Sequence, residues 1–370
     1  MPSFTAPARF DHASPPRTAV LLAQLGTPDA PETGAVRRYL AEFLSDPRVV
    51  EIPRVIWWPI LHGVILRGRP AKSAQKYAQI WTPEGSPLAV NTRKQAAALS
   101  ERLVARGLDF EVAWAMRYGN PGIPEVLRQL RERNVTRLLV LPLYPQYAGS
   151  TTASVADALW KELSAWRNQP ELRMVRSFHD APGYLDALAA RIRESWAQDG
   201  PPDRLVMSFH GVPKRTLLMG DPYHCECLVT GRLLAERLGL APGRWVVTFQ
   251  SRFGRAEWLQ PYTAATLEQL GAAGTGRVDV VCPGFVSDCL ETLEEIAMEG
   301  REIFRHAGGR DFRYIPCLND HPGFGDLLAT LVEAHSTGWP VTAPTPAELA
   351  EQTLGLARRR ERALERGAEA

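Results

Sequence analysis

Eight short runs of apolar residues, separated by longer amphipathic stretches, constrain the fold of this 370-residue chain more than any other feature. The runs are apolar on both faces, which is typical of parallel strands buried between helices. They lie at residues 18–25, 110–117, 137–143, 172–177, 204–210, 245–250, 278–282 and 312–315. This alternation of strands with helices predicts an α/β, doubly wound fold.

The eight predicted strands divide into two groups of four, which indicates two similar lobes. The third strand of each group leads through a proline into a polar loop, LPLYPQYAGSTT in the first and VCPGFVSDCLET in the second. We predict a loose N-terminal arm at 1–16, a first lobe at 17–170, a second lobe at 171–322, and C-terminal helices at 323–370 that partly return to the first lobe. Because ligands bind beyond the carboxyl ends of parallel strands, the cleft between the lobes is the expected site.

Composition and charge narrow the class of protein. Hydrophobic residues make up 45% of the chain and the formal net charge is only +2, so a nucleic acid is not the expected partner. No apolar run reaches the roughly 18–20 residues of a membrane span, and residues 1–16 lack the apolar segment of a secretory signal. We therefore predict a cytoplasmic protein. Its five cysteines, odd in number, are not expected to form structural disulfides.

A histidine and a row of carboxylates are the candidate catalytic and metal-binding residues. His210 ends the fifth predicted strand, where a neutral imidazole would face the cleft and accept a proton or bind a metal ion. Glu291, Glu295 and Glu299 are spaced four apart and so share one helix face, and Asp288 precedes them. Carboxylates of this kind suit a divalent cation. The alternatives are a structural histidine at a strand end and a solvated acidic helix face.

Three other segments allow more than one interpretation. Tyr147 and Ser150, in YPQYAGSTT, suit either an aromatic ligand surface or the capping of the next helix. Cys225 and Cys227 lie in GDPYHCEC, where thiols in a loop are favoured over half a metal site because no second cysteine pair follows at the required spacing. The apolar run 52–66, with basic flanks, is an interfacial helix, a core helix or a lip over a flat ligand.

Seven segments occur in an order that resembles the ferrochelatase family. They are LLAQLGTP, KYAQIWTPEGSPL, AMRYGNP, LPLYPQYAGSTT, MSFHGVP with GDPY, TFQSRFGRAEWL and CPGFVSDCLETLEEI. The match covers nearly the whole chain and is similar in style to proteobacterial members. The resemblance implies two Rossmann-like lobes of the class II chelatase type, each with a four-stranded parallel sheet. It also implies a lyase that inserts Fe²⁺ into protoporphyrin IX to make protohaem, the terminal step of haem biosynthesis.

The resemblance also implies roles for individual residues. His210 and Glu291 would be catalytic, acting on a distorted porphyrin that loses two pyrrole protons. The metal ligands would be His210, Glu291, Asp288, Glu295 and Glu299, and the family widens the helix that carries the three glutamates to a π turn. The porphyrin-binding residues would be Leu25, Arg69, Tyr77, Ser86, Arg117, Tyr118, Tyr147, Ser150 and Trp258. Residues 52–66 would form the lip, with peripheral membrane contact.

Two departures from family patterns bear on substrate and cofactor. Leu25 stands where coproporphyrin-type members carry a tyrosine, which favours protoporphyrin IX as substrate. Gly149 and the absence of any cysteine after Cys317 exclude an animal-type [2Fe–2S] cluster. A cluster built from the five cysteines of this chain is disfavoured, so no permanent cofactor is expected and Fe²⁺ is a substrate. The rival functions are coproporphyrin ferrochelatase, cobalt or nickel chelatase, and a non-catalytic haem- or metal-binding protein. Monomer and dimer remain equal alternatives.

Overall fold

The computed structural model describes residues 4–5, 11–254 and 256–368, except for the side chain of residue 198. These residues form two four-stranded sheets in which every paired strand is parallel. The strands are β1 (Arg17–Gly26), β2 (Glu111–Tyr118), β3 (Val135–Pro142), β4 (Glu171–Met174), β5 (Arg204–His210), β6 (Trp245–Gln250), β7 (Arg277–Val281) and β8 (Asp311–Tyr314). The sheet orders are β2-β1-β3-β4 and β6-β5-β7-β8. The predicted α/β architecture of two similar lobes is therefore confirmed.

Helices connect the strands within each lobe. The α-helices are α1 (Thr33–Leu44), α2 (Arg54–Ile60), α3 (Leu66–Ile80), α4 (Pro87–Ala105), α5 (Ile123–Glu132), α6 (Ser154–Leu163), α7 (Pro182–Asp199), α8 (Lys214–Leu218), α9 (Tyr223–Leu238), α10 (Thr263–Ala272), α11 (Arg301–His306), α12 (Pro322–His335) and α13 (Pro346–Glu365). Three π-helical segments join them: π1 (Leu61–Ile65), π2 (Gly149–Ala153) and π3 (Glu291–Gly300).

The two lobes share details beyond strand order. In the first lobe the N–H of Met116 donates to the carbonyl of Pro121 (2.7 Å), and in the second the N–H of Phe249 donates to that of Pro261 (2.9 Å). A π segment follows the third strand of each lobe. The lobes differ in what precedes their next long helix: α1–α3 lie between β1 and α4, whereas only the short α8 lies between β5 and α9. The first lobe therefore has more helical structure at this point of the chain than the second lobe.

One predicted boundary and the predicted loose arm need correction. β4 pairs with β3, from Arg137 with Glu171 to Val140 with Met174, so the first lobe extends through residue 174 and does not end at 170.

Residues 1–3 and 6–10 of the predicted N-terminal arm lie outside the described residues. The part of the arm that is described contacts the first lobe, where the N–H of Thr5 donates to the carbonyl of Ala165 at 2.9 Å.

A shared core fixes the cleft between the lobes. The largest cluster of buried apolar residues contains Leu22 from the first sheet and Phe209 from the second. Helix α12 packs on both α7 and α4, which places a C-terminal helix against the first lobe. The chain beyond α12 also follows the first lobe, because the N–H of Asp109 donates to the carbonyl of Val341 at 2.7 Å.

Candidate active site

His210 is held at the carboxyl end of β5 with its tautomer defined. Its Nδ1 atom lies 2.6 Å from the carbonyl oxygen of Gly211. A carbonyl only accepts, so Nδ1 carries the proton and the Nε2 atom of the neutral ring keeps a free lone pair. Gly211 leaves no room for a side chain, since a Cβ there would lie 2.6 Å from the carbonyl oxygen of Gln250 and 3.1 Å from the Trp258 ring. The imidazole is thus a candidate base or metal ligand on a rigid strand end.

The carboxylate row lies on π3, as the resemblance implied for this helix. The Glu295 carboxylate accepts hydrogen bonds from the backbone N–H (2.7 Å) and the hydroxyl (2.5 Å) of Ser251. Burial raises the pKa of Glu295 above its ordinary value; the Ser251 hydrogen bonds and nearby His210 oppose this, while Glu291 adds to it. These interactions bring His210, Glu291 and Glu295 to one part of the cleft.

Gln250, the last residue of β6, and Ser251, the next residue, hold π3 in place, and sequence reasoning missed both. The side chain of Gln250 accepts from Ser208 (2.7 Å) and donates to the backbone carbonyl of Glu291 (2.8 Å). Ser251 adopts a left-handed backbone with φ of 64°, which is unusual for a residue with a side chain. This conformation aims both of its donors at Glu295. The only sequence signal was position, since the two residues lie at the carboxyl end of a strand that borders β5.

The Asp288 carboxylate is already occupied by hydrogen bonds within the protein. Its carboxylate accepts from the Tyr314 hydroxyl (2.5 Å), the Asn319 amide (2.7 Å), the backbone N–H of Cys317 (3.2 Å) and the Thr292 hydroxyl (3.3 Å). The residue is buried. Four hydrogen bonds satisfy a buried carboxylate, so Asp288 supports the loop before π3.

Glu299 lies apart from Glu291 and Glu295. Its carboxylate is about half exposed and binds the ammonium group of Lys76 at 2.9 Å. Lys76 also binds Glu294, which is five residues before Glu299. Among the residues that the structure describes, no three His, Cys, Asp or Glu side chains are grouped tightly enough to hold a metal ion. Of the five predicted metal ligands, His210, Glu291 and Glu295 lie near enough to influence one another electrostatically, but they do not form a ready-made metal-binding group.

Arg117 and Tyr118 belong to a buried polar network in the first lobe. Both donate to the Asp46 carboxylate, at 2.6 Å and 2.8 Å, and the Ser154 hydroxyl donates to it at 2.5 Å. Burial raises the pKa of Asp46, but hydrogen bonds from Ser154, the backbone N–H of Arg48 and Tyr118, together with the charge of Arg117, outweigh it and lower the pKa overall. Sequence reasoning missed Asp46, because SDPR between two helices has the composition of a simple turn.

Tyr77 and Ser86 line the wall that α3 and the start of α4 form. The Tyr77 ring is buried and packs edge-on against Tyr39 and Trp81, at centroid distances of 6.5 Å and 6.3 Å. Burial, and secondarily the charge of Glu291, raise its pKa well above the ordinary value, so it stays a neutral hydroxyl. Ser86 accepts from the Thr27 hydroxyl at 2.8 Å.

Arg69 reaches from α3 towards the second lobe. Its guanidinium lies over the Phe253 ring, 5.1 Å from the ring centroid. The Arg69 side chain is exposed, yet many protein atoms lie close to its guanidinium group and displace water from it. This crowding lowers its pKa, and the Glu291 carboxylate acts in the opposite direction. Arg69 therefore places a positive charge beside the candidate catalytic carboxylate.

Trp258 and Leu25 lie at the ends of the central strands of the two lobes. Trp258 is half-buried and forms a β-bridge with Pro213, and its indole N–H is buried without a hydrogen-bond partner among the described residues. Leu25 is half-buried at the end of β1 and packs against two apolar clusters of the first lobe. An apolar side chain and an unpaired donor are suitable walls for an amphipathic ligand.

The loop after β3 is tied to the second lobe. The Tyr147 ring lies under the Arg176 guanidinium, 4.4 Å from its centroid, and the backbone N–H of Tyr147 donates to Glu226 at 2.7 Å. Ser150 is half-buried within π2. The N–H of Gly149 donates to the Asp221 carboxylate at 2.7 Å. Tyr147 and Ser150 therefore lie where the two lobes meet.

The five cysteines are free thiols in two separate regions. Burial raises the pKa of Cys282, Cys289 and Cys317, and the charge of Asp288 raises that of Cys282 and Cys317 further. Cys225 is exposed and Cys227 buried, and both lie on α9, which starts at Tyr223. The predicted loop around them is therefore wrong, because the helix begins directly after Pro222.

Comparison with known proteins bears on the fold and the family of this chain. The fold is similar to that of SirB from Bacillus subtilis, solved with Fe³⁺, with a TM-score of 0.52 and 13% identity over 89% of this chain and 100% of that one. The two-lobed architecture of this chain is thus shared with SirB. The ferrochelatase family model matches residues 17–336. The chain is 60% identical to the ferrochelatase of Azoarcus sp. (strain BH72) over 94% of this chain and 96% of that protein. It is 59% identical to that of Polaromonas sp. (strain JS666 / ATCC BAA-500) over 99% of both. The chain belongs to the ferrochelatase family.

Proposed function

We propose that this protein inserts Fe²⁺ into protoporphyrin IX to make protohaem, the terminal step of haem biosynthesis. The observation that carries the proposal is the pairing of a histidine whose Nε2 lone pair is free with carboxylates on π3, at the carboxyl edge of the second sheet. A base and oxygen ligands are the groups needed to remove pyrrole protons and to deliver a divalent cation. Family membership supports the same conclusion.

The proposed mechanism uses His210 and Glu291 on opposite faces of the macrocycle. Fe²⁺ passes along the carboxylates and exchanges its water for their oxygens, while Ser251 holds Glu295 in place. Pocket contacts bend the porphyrin, so that its nitrogen lone pairs become accessible and binding energy offsets the strain. Two pyrrole N–H bonds break, the protons pass to the adjacent base, either His210 or Glu291, and from there to solvent, and four nitrogen–iron bonds form. One imidazole and a few carboxylates bind iron weakly enough to release it.

Substrate choice and cofactor content follow from two local features. Leu25 at the end of β1 supplies no oxygen for product iron, which supports protoporphyrin IX over coproporphyrin III. The protein needs no permanent cofactor, because iron is consumed in the reaction. Burial raises the pKa of Cys282, Cys289 and Cys317 and so disfavours the thiolates that an iron–sulfur cluster requires, which supports the absence of such a cluster.

We also propose that the protein is cytoplasmic and touches the membrane surface through residues 52–66. On α2 and π1 the side chains of Val55, Ile56, Trp58 and Val64 are exposed, and Val55 is 87% exposed. None of the described helices combines the length and apolar character needed to cross a bilayer. Val55→Asp should abolish co-sedimentation with anionic liposomes, whereas Val104→Asp, at an exposed valine of α4, should not. Equal co-sedimentation of both variants would contradict the proposal.

The decisive experiment is anaerobic metallation of protoporphyrin IX by Fe²⁺, followed by porphyrin absorbance, with coproporphyrin III in parallel. We expect faster turnover of protoporphyrin IX. His210→Ala and Glu291→Ala should each lose most turnover while still binding porphyrin. Turnover of coproporphyrin alone would overturn the substrate assignment. Turnover of neither porphyrin, or wild-type turnover in either variant, would overturn the proposed function in favour of a cobalt or nickel chelatase or a binding protein.

A further inference from the structure

Lys76 joins the two lobes at the outer end of the carboxylate row. It lies on α3 of the first lobe, and its Nζ atom is 2.8 Å from the Glu294 carboxylate and 2.9 Å from the Glu299 carboxylate on π3. The Glu294 side chain is only 8% exposed, whereas those of Lys76 and Glu299 are 42% and 49% exposed. The ammonium group therefore lies between a buried carboxylate and one that faces solvent.

The π helix explains why one ammonium reaches both carboxylates. In an α-helix, residues three or four apart are neighbours on the surface. In a π helix, the i→i+5 hydrogen bonds bring residues five apart close together. Glu294 and Glu299 are five apart, so widening the helix makes them a pair. Glu295, by contrast, is held by Ser251.

The adjacent carboxylates of Glu294 and Glu299 favour a cation between them. Two carboxylates side by side repel, and the buried Glu294 side chain has little water around it to screen that repulsion. Lys76 supplies one positive charge for two negative ones, which leaves the trio at −1. A divalent ion in place of the ammonium would make the site neutral. The carboxylates are thus better matched by Fe²⁺ than by the lysine that now occupies their shared position.

We propose that Lys76 is a tethered counter-ion that Fe²⁺ displaces as it enters the carboxylate row, so that Lys76 sets the apparent affinity of the enzyme for its metal substrate. The inference rests on the proposed function, because it treats Fe²⁺ as a substrate. Lys76 touches neither the porphyrin nor His210 in this scheme and acts through Glu294 and Glu299 as a positioning residue. The competing explanation is that Lys76 has a purely structural role and only holds α3 against π3.

Steady-state kinetics separate these explanations. For Lys76→Gln we expect the KM for Fe²⁺ to fall about three- to tenfold, the range for one partly exposed unit charge at contact distance. The KM for porphyrin and kcat should not change. Lys76→Arg, which keeps the charge, should behave as wild type. Lys94→Gln is the matched control, because Lys94 is a half-exposed lysine on α4 that pairs with Asp320 at 3.7 Å, away from the carboxylates of π3.

A second measurement tests the inference independently of chelatase activity. Titration of the porphyrin-free protein with Co²⁺ should show tighter binding in Lys76→Gln than in wild type, and the gain should shrink when Glu299→Gln is added. A wild-type protein with no chelatase activity would refute the proposed function, while the titration would still report on Lys76. An unchanged or raised KM for Fe²⁺ with unchanged Co²⁺ affinity would overturn the inference. A raised KM for porphyrin together with a lower Tm would favour the purely structural role of Lys76.

Discussion

Replacing Asp46 by alanine removes the carboxylate on which Arg117, Tyr118 and Ser154 converge. The Arg117 side chain is 17% exposed and that of Asp46 is 4% exposed, so the substitution leaves a largely buried positive charge without its partner. Breaking a buried pair in this way costs about 3–5 kcal/mol. This is a large fraction of the roughly 5–15 kcal/mol that stabilises a typical domain. Asp46→Asn keeps the shape and one acceptor, and should cost about 1–3 kcal/mol.

Urea unfolding followed by circular dichroism measures both costs, and pH supplies an independent check. The pKa of Asp46 is lowered in the folded protein, so its ionised form stabilises the fold above the unfolded pKa of about 4. That stability is lost as the pH falls through the folded pKa. The difference between wild type and Asp46→Asn should therefore be largest near neutral pH and shrink below about pH 4. A cost of less than 1 kcal/mol for Asp46→Ala, or a difference that does not depend on pH, would refute this reasoning.

Two further substitutions test the geometry around His210 and Glu295. Gly211→Ala forces a Cβ to within 2.6 Å of a backbone oxygen, so it should lower Tm and abolish turnover. Gly355→Ala, in the open middle of α13, should instead raise stability by about 0.5–1 kcal/mol, and equal Tm changes in the two variants would contradict the steric argument. Ser251→Gly relieves a left-handed backbone worth about 1 kcal/mol but loses the hydroxyl that binds Glu295, so Tm should rise while kcat/KM for Fe²⁺ falls. Unchanged turnover in Ser251→Gly would show that this hydroxyl does not hold Glu295.

The acidic segment shows where prediction from sequence stops. The row of Glu291, Glu295 and Glu299 was predicted from helical spacing, and the residues do lie on one helix. The π geometry then pairs Glu299 with Glu294 and leaves Glu291 and Glu295 towards His210. Nothing in the local pattern signals a π helix, since its hydrogen bonds differ from those of an α-helix by one residue. Its presence was expected only from the family resemblance.

Position along the strands was the reliable part of the sequence analysis. Apolar runs and helix periodicity are local properties, so they located all eight strands, the two lobes and the strand end that carries His210. The lobe boundary at residue 170 was wrong because β4 belongs to the first sheet through hydrogen bonds to β3, which no local pattern encodes.

The sequence by itself therefore determined the architecture and the edge of the sheet at which His210 lies. Only the tertiary structure decided the partner of each polar side chain. Asp46 meets Ser154 from 108 residues away, and Lys76 meets Glu299 from 223 residues away. Such pairs form when separate elements pack together, and their energies depend on burial and geometry that the order of residues does not specify. For the same reason Asp288, predicted as a ligand, lies in a buried network of hydrogen bonds, while Ser251, which no motif indicated, holds Glu295.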